Sequence, residues 1–90
     1  MTSEGHPYAV LQRSLKNGNL WVAEAVAREM RHVPLEDALT LTYLYAEKEQ
    51  WDKFERAAMR WLRRYLEEKE PTLKNFAKVV RQFEQRQIDE

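Results

Sequence analysis

The chain has 90 residues, 43% of them hydrophobic, and its 15 basic and 15 acidic side chains cancel. A chain of this size supports one core burying roughly 60 to 65% of the unfolded surface, with little to spare for a deep catalytic cavity. The balanced charge supplies no overall field toward nucleic acid or anionic lipid, and with no cysteine there is no disulfide framework, thiolate nucleophile or cysteine-held zinc.

Two glycines and three prolines punctuate a sequence rich in Leu, Ala, Glu, Lys, Arg and Gln. These residues lose little side-chain freedom in a helix, so an all-α chain is expected. The opening MTSEGHPY lacks the basic and apolar regions of a secretion signal, and no apolar run approaches the ~20 residues of a membrane span. A cytoplasmic chain without membrane attachment is the expectation. Residues 1–6 are polar and terminal, so they should form a flexible end, followed by a single helical domain over 7–90.

Pro7 suits a first helical turn and Gly18 the left-handed residue after a helix, which predicts a first helix over 7–17. Asn19 can cap a second helix over 20–32. Pro34 opens the third, over 34–49, with Glu36 and Asp37 complementing the helix dipole in its first turn. Asp52 and Glu55 have the spacing of an Asp-headed capping box, placing the fourth helix over 52–70, and Pro71 ends it. Thr72 can cap the fifth, over 73–87. Short connections predict antiparallel neighbours: two helical hairpins plus a C-terminal packing helix.

A weak internal repeat supports that pairing. Sliding the chain by 31 residues sets Leu20 on Trp51, Ala23 on Phe54, Ala27 on Ala58 and Met30 on Trp61, and brings the turns KNGN and KEQW close together. Over residues 8–70 the pattern resembles tetratricopeptide-type helical-hairpin repeats, which implies a stack of hairpins whose last helix covers a bare apolar face. Thr42, Phe54 and Trp61 stand where that family has small residues, so a compact five-helix bundle is an equal alternative. The strings LKNGNLWVAEAVAREM, VPLEDALTL and RWLRRYLEE are also similar to small uncharacterised helical proteins of high-GC Gram-positive bacteria, a likeness that implies no activity.

On the fourth helix Trp51, Phe54, Ala58, Trp61, Leu62, Tyr65 and Leu66 fall in one arc and Arg56, Arg60, Arg63 and Arg64 in the arc opposite. Bases stack on aromatics that share a surface with phosphate-holding cations, so this separation reads as core on one side and a solvated face on the other. Asp52 before Arg56, and Glu67 and Glu68 after Arg63 and Arg64, are spaced to pair with those cations. The third helix is apolar nearly all round apart from Glu36, Thr40 and Glu47, which predicts a central helix. Its tyrosines should keep their rings in the core and their hydroxyls in water.

Two surfaces remain. The second helix is expected to bury Val22, Ala23, Val26, Ala27 and Met30 on one side, which leaves Trp21, Ala25, Arg28 and His32 as a stripe on the other. Either the first helix or the N-terminal segment covers the Trp21 ring, or the stripe is a partner surface, since Trp and Arg are favoured binding anchors. The second surface is a basic stripe on the fifth helix. Between residues 71 and 86, Lys74, Lys78, Arg81 and Arg86 stand against Glu84, four positive minus one negative, or +3. Lys74, Lys78, Arg81 and Gln85 share one side and could reach phosphates, or form only a solvated outer face.

Glu29 and His32 have a spacing used in di-iron bundles, but those sites need a second such pair and further carboxylates, so no metal is expected. No phosphate-cradling glycine loop, nucleophile elbow or serine with an activating histidine is present, so neither an enzyme nor a cofactor is expected. The primary expectation is a small protein–protein interaction module that binds another protein, or itself as a homodimer, through the Trp21 stripe. The alternative is a weak nucleic-acid or polyanion binder acting through the basic stripe.

Overall fold

The computed structural model describes residues 6–88, which form five α-helices and contain no strand. In chain order these are α1 (His6–Lys16), α2 (Leu20–Glu29), α3 (Leu35–Glu47), α4 (Trp51–Lys69) and α5 (Leu73–Ile88). α1 packs on α2 and α3 on α4, giving two antiparallel hairpins; α3 also touches both helices of the first hairpin, and α5 packs on α4. The all-α hairpin architecture expected from the sequence is therefore the fold. Of the expected flexible end, residues 1–6, residues 1–5 lie outside the described residues, whereas His6 already belongs to α1. The Cα trace spans 46 × 30 × 18 Å, about two helix diameters thick, so each helix keeps a side toward water. Among the described residues no helix is long and apolar enough to cross a membrane.

The two hairpin turns are built alike. After α1, Gly18 takes a left-handed φ of 72°, its N–H donates to the Leu15 carbonyl and that of Asn19 to the Ser14 carbonyl. After α3, Glu49 takes φ 58°, its N–H donates to Ala46 and that of Gln50 to Tyr45. Both are Schellman closures, which satisfy the orphan carbonyls at a helix end. They are offset by the same 31 positions as the sequence repeat, Gly18 to Glu49. A glutamate in this left-handed site is strained relative to glycine and gives no stop signal in the sequence, and α3 ends at Glu47, two residues before its predicted end.

Other boundaries also move. α2 stops at Glu29, not residue 32, because Met30 turns to extended backbone (φ −82°, ψ 141°) while its N–H closes on Ala27. Pro34 disfavours helix at Val33, and the chain needs these residues to cross to α3. α4 begins at Trp51 with Gln50 in the N-cap position and no side-chain cap, so the predicted Asp52–Glu55 capping box does not form. Asp52 instead lies inside the first turn, where its charge complements the dipole. The Asn19 and Thr72 caps are present: Val22 N–H donates to Asn19 Oδ1 at 3.3 Å and Asn75 N–H to Thr72 Oγ1 at 3.1 Å.

The core gathers Leu20, Leu44, Tyr45, Phe54, Trp61 and Phe83 from four helices. Phe83 brings α5 onto it, its ring centroid 5.5 Å from Tyr43 and 5.9 Å from both Phe54 and Trp61. Phe76, Val79 and Val80 pack beside it. Each such side chain contributes roughly 1.5 to 3 kcal/mol before entropy is counted. Two residues assigned to the core by periodicity are exposed, Val22 and Leu66. Val22 stands at the start of α2, and Leu66 lies in the last turns of α4, where exposure shows that no neighbouring helix covers its side.

Candidate binding surface

Between α2 and α4, above α3, runs a groove of about 650 Å³. Ala38, Leu41, Thr42 and Tyr45 of α3 line its base; Ala27 and Arg28 of α2 form one side, with Ala57 and Trp61 of α4 on the other. The rim of α4 carries Lys53, Arg56, Arg60, Arg63 and Arg64. Sequence periodicity sets the four arginines opposite the aromatic arc. Yet Arg64 lies only about 60° and Arg60 about 100° around the helix from Trp61. The folded chain brings that shoulder into a cleft because α2 stands across from it.

The aromatic rings are nevertheless not laid bare. Trp61 is 6% exposed, its indole N–H donates to the Leu35 carbonyl at 2.7 Å, and its ring stacks on Tyr65 with centroids 4.9 Å apart. Tyr45 departs from the expected arrangement: its hydroxyl does not reach into water but donates to Glu24 Oε2 at 2.8 Å. Burial, then the hydrogen bond to Glu24 and the carboxylate's charge, push the Tyr45 hydroxyl up to about 12.

Glu24 joins both sides of the groove. Besides Tyr45 it accepts from Lys53 Nζ at 3.1 Å and pairs with Arg28 at 3.7 Å. Partial burial raises its carboxyl, but the hydrogen bonds from Tyr45 and Lys53 and the charges of Lys53 and Arg28 outweigh that and hold it below the ordinary carboxylate range. A carboxylate held down in the fold adds stability above its unfolded pKa, and this stability disappears as pH falls through the folded value. Glu24→Gln is therefore expected to cost about 1 kcal/mol at neutral pH. It should also flatten part of the stability loss below about pH 4.5. Urea unfolding of both proteins at pH 7 and in mild acid measures this, and parallel acid limbs would contradict it.

The Trp21 stripe meets this groove at Arg28. Trp21 is 68% exposed, so neither α1 nor any other described segment covers it, and Lys53 Nζ stands 5.8 Å from its ring centroid. Ala25 and Arg28 are exposed beside it on α2. His32 does not share the stripe, because α2 has already ended; its Nε2 lies 3.4 Å from Arg64 Nη2. An arginine can only donate, so that ring nitrogen accepts. Arg64 also donates to Glu68 at 2.8 Å, and this bond, which outweighs the opposing desolvation and is helped by the guanidinium charge, holds the Glu68 carboxyl below its ordinary range. Among the described residues the anticipated Asp52–Arg56 and Arg63–Glu67 pairs are not formed.

On α5, Lys74, Lys78, Arg81 and Gln85 are all exposed, and none lines the groove. Arg86, which the spacing sets off that side, lies over the Tyr43 ring at 4.2 Å, where it serves packing. The described residues contain no group of three or more potential metal-binding side chains. Periodicity located Trp21, but it did not find the groove, whose sides are far apart in sequence. Comparison of the chain with family models, with curated proteins and with solved structures finds no match.

Proposed function

We propose that this chain is a small protein–protein interaction module whose contact surface runs from Trp21 across α2 to the groove. The observation that carries this reading is the exposure of Trp21. Of the three tryptophans, Trp61 is buried and Trp51 half-buried in the core, whereas Trp21 is 68% exposed. A bare indole beside Lys53, with Arg28 two turns further along the same helix, has the composition of a binding anchor, since Trp and Arg give most when a partner excludes water around them. The module holds a partner polypeptide, or a second copy of itself, and transforms nothing.

Site-specific photocrosslinking tests the reading. A benzophenone amino acid at Ala25 is expected to form discrete protein adducts in cells that make the chain, and Trp21→Ala to abolish them. The same probe at Lys78 on α5 is expected to form none. Adducts to nucleic acid from Lys78, with none from Ala25, would replace this reading with polyanion binding through α5.

A further inference from the structure

The groove concentrates charge that the whole chain lacks. The chain is neutral overall, yet Arg28, Lys53, Arg56, Arg60, Arg63 and Arg64 line this one cleft. Its single carboxylate, Glu24, is already shared among Tyr45, Lys53 and Arg28. Arg64 is engaged with Glu68, but Arg56, Arg60 and Arg63 enter no ion pair among the described residues. Their spacing, four and then three residues, sets them along one line on α4, about 10 Å from first to last. A cleft lined by one sign of charge over low-dielectric walls focuses its field on whatever enters.

The base of the groove chooses between classes of anion. Its floor is apolar at Ala38 and Leu41 and its α4 side at Ala57, which favours aliphatic side chains, and the hydroxyls of Thr42 and Tyr45 already donate to the Ala38 carbonyl and to Glu24. A nucleic-acid strand lying in the groove needs bare aromatic faces beneath its bases, but Trp61 and Tyr45, the rings that line it, are each 6% exposed, and the bare Trp21 ring stands outside its lining. A polypeptide carrying both carboxylates and aliphatic side chains satisfies rim and base together. We infer that the groove receives an acidic, amphipathic peptide segment of a partner protein, its carboxylates on Arg56, Arg60 and Arg63 and its apolar side chains over Leu41 and Ala57. This rests on the interaction-module reading and names what the module takes.

Fluorescence anisotropy with the full chain and a labelled peptide of mixed Glu and Leu tests it. Three comparisons accompany the peptide: its Glu-to-Gln counterpart, single-stranded oligonucleotides, and sedimentation of the protein alone. The Glu peptide is expected to bind, to weaken about tenfold or more between ~50 and ~300 mM salt, and to be lost in Arg60→Glu/Arg63→Glu. Both arginines are exposed, so circular dichroism of that variant should match the parent. Failure of the Glu peptide to bind at low salt, equal binding of the Gln peptide, or preference for the oligonucleotide would each overturn the inference. So would a dimer of the chain that dissolves on the same charge reversal, because a second copy would then be the occupant. Crosslinks from Ala25 that persist in the charge-reversed protein would leave the interaction module standing without this ligand; their absence from the parent protein would remove both.

Discussion

Trp61→Ala is expected to lower the unfolding free energy by about 3 to 5 kcal/mol, the cost of emptying an aromatic site that the surrounding helices cannot close. The ring is 6% exposed, stacked on Tyr65 and edge-on to Phe83, and its N–H ties α4 to the first residue of α3 through the Leu35 carbonyl. A domain of this length is stable by only about 5 to 13 kcal/mol. The loss is therefore a large fraction of the total, and in a thermal melt it should lower Tm by more than about 12 °C. Trp61→Phe separates the two contributions: it keeps most of the ring volume and loses the hydrogen bond, so about 1 to 2 kcal/mol is expected. An alanine variant within about 1 kcal/mol of the parent in urea unfolding would mean that this ring does not hold the hairpin together.

Phe83→Ala tests a different joint. α5 is held to the second hairpin largely through Phe83, which is 5% exposed and meets Tyr43, Phe54 and Trp61. Truncation should again cost about 3 to 5 kcal/mol. Here the loss should appear first in α5, whose amide protons should exchange faster than those of α3 and α4, since an element with few buried contacts opens locally before the rest. Uniform acceleration in all five helices would show instead that α5 belongs to a single cooperative unit. Because Phe83 and Trp61 touch, the double variant should be non-additive by roughly 0.5 to 1.5 kcal/mol, and an additive pair would remove the ring contact as a source of stability.

The groove has a consequence for how its arginines are valued. Exposed pairs such as Arg64 with Glu68 contribute little to stability and are screened by salt. Arg56, Arg60 and Arg63 are not even paired. Removing them should leave the fold intact, so any effect of their reversal on binding reports on the groove itself.

The features legible in the sequence are those set by chemistry within a few residues. Gly18 marked a left-handed helix end, Asn19 and Thr72 marked caps, and Pro71 marked a break, because each acts on backbone groups one to three positions away. The buried arc of α4 was readable as well, since Phe54, Ala58, Trp61 and Leu62 recur at the helical period. What required the tertiary structure is whatever depends on two helices meeting. The left-handed Glu49 carries no glycine signal and is held by the closure of the second hairpin. The early end of α2, which takes His32 off the stripe and toward Arg64, follows from the path to α3. Val22 and Leu66 stay partly exposed because, among the described residues, no helix packs fully over them. Tyr45 finds Glu24, 21 positions away, and the shoulder of α4 faces α2 across a cleft. Helical periodicity fixes the angle of a side chain about its own axis, whereas the crossing of separate helices decides which arcs become neighbours; that crossing turned a row of solvent-facing arginines into one side of a groove.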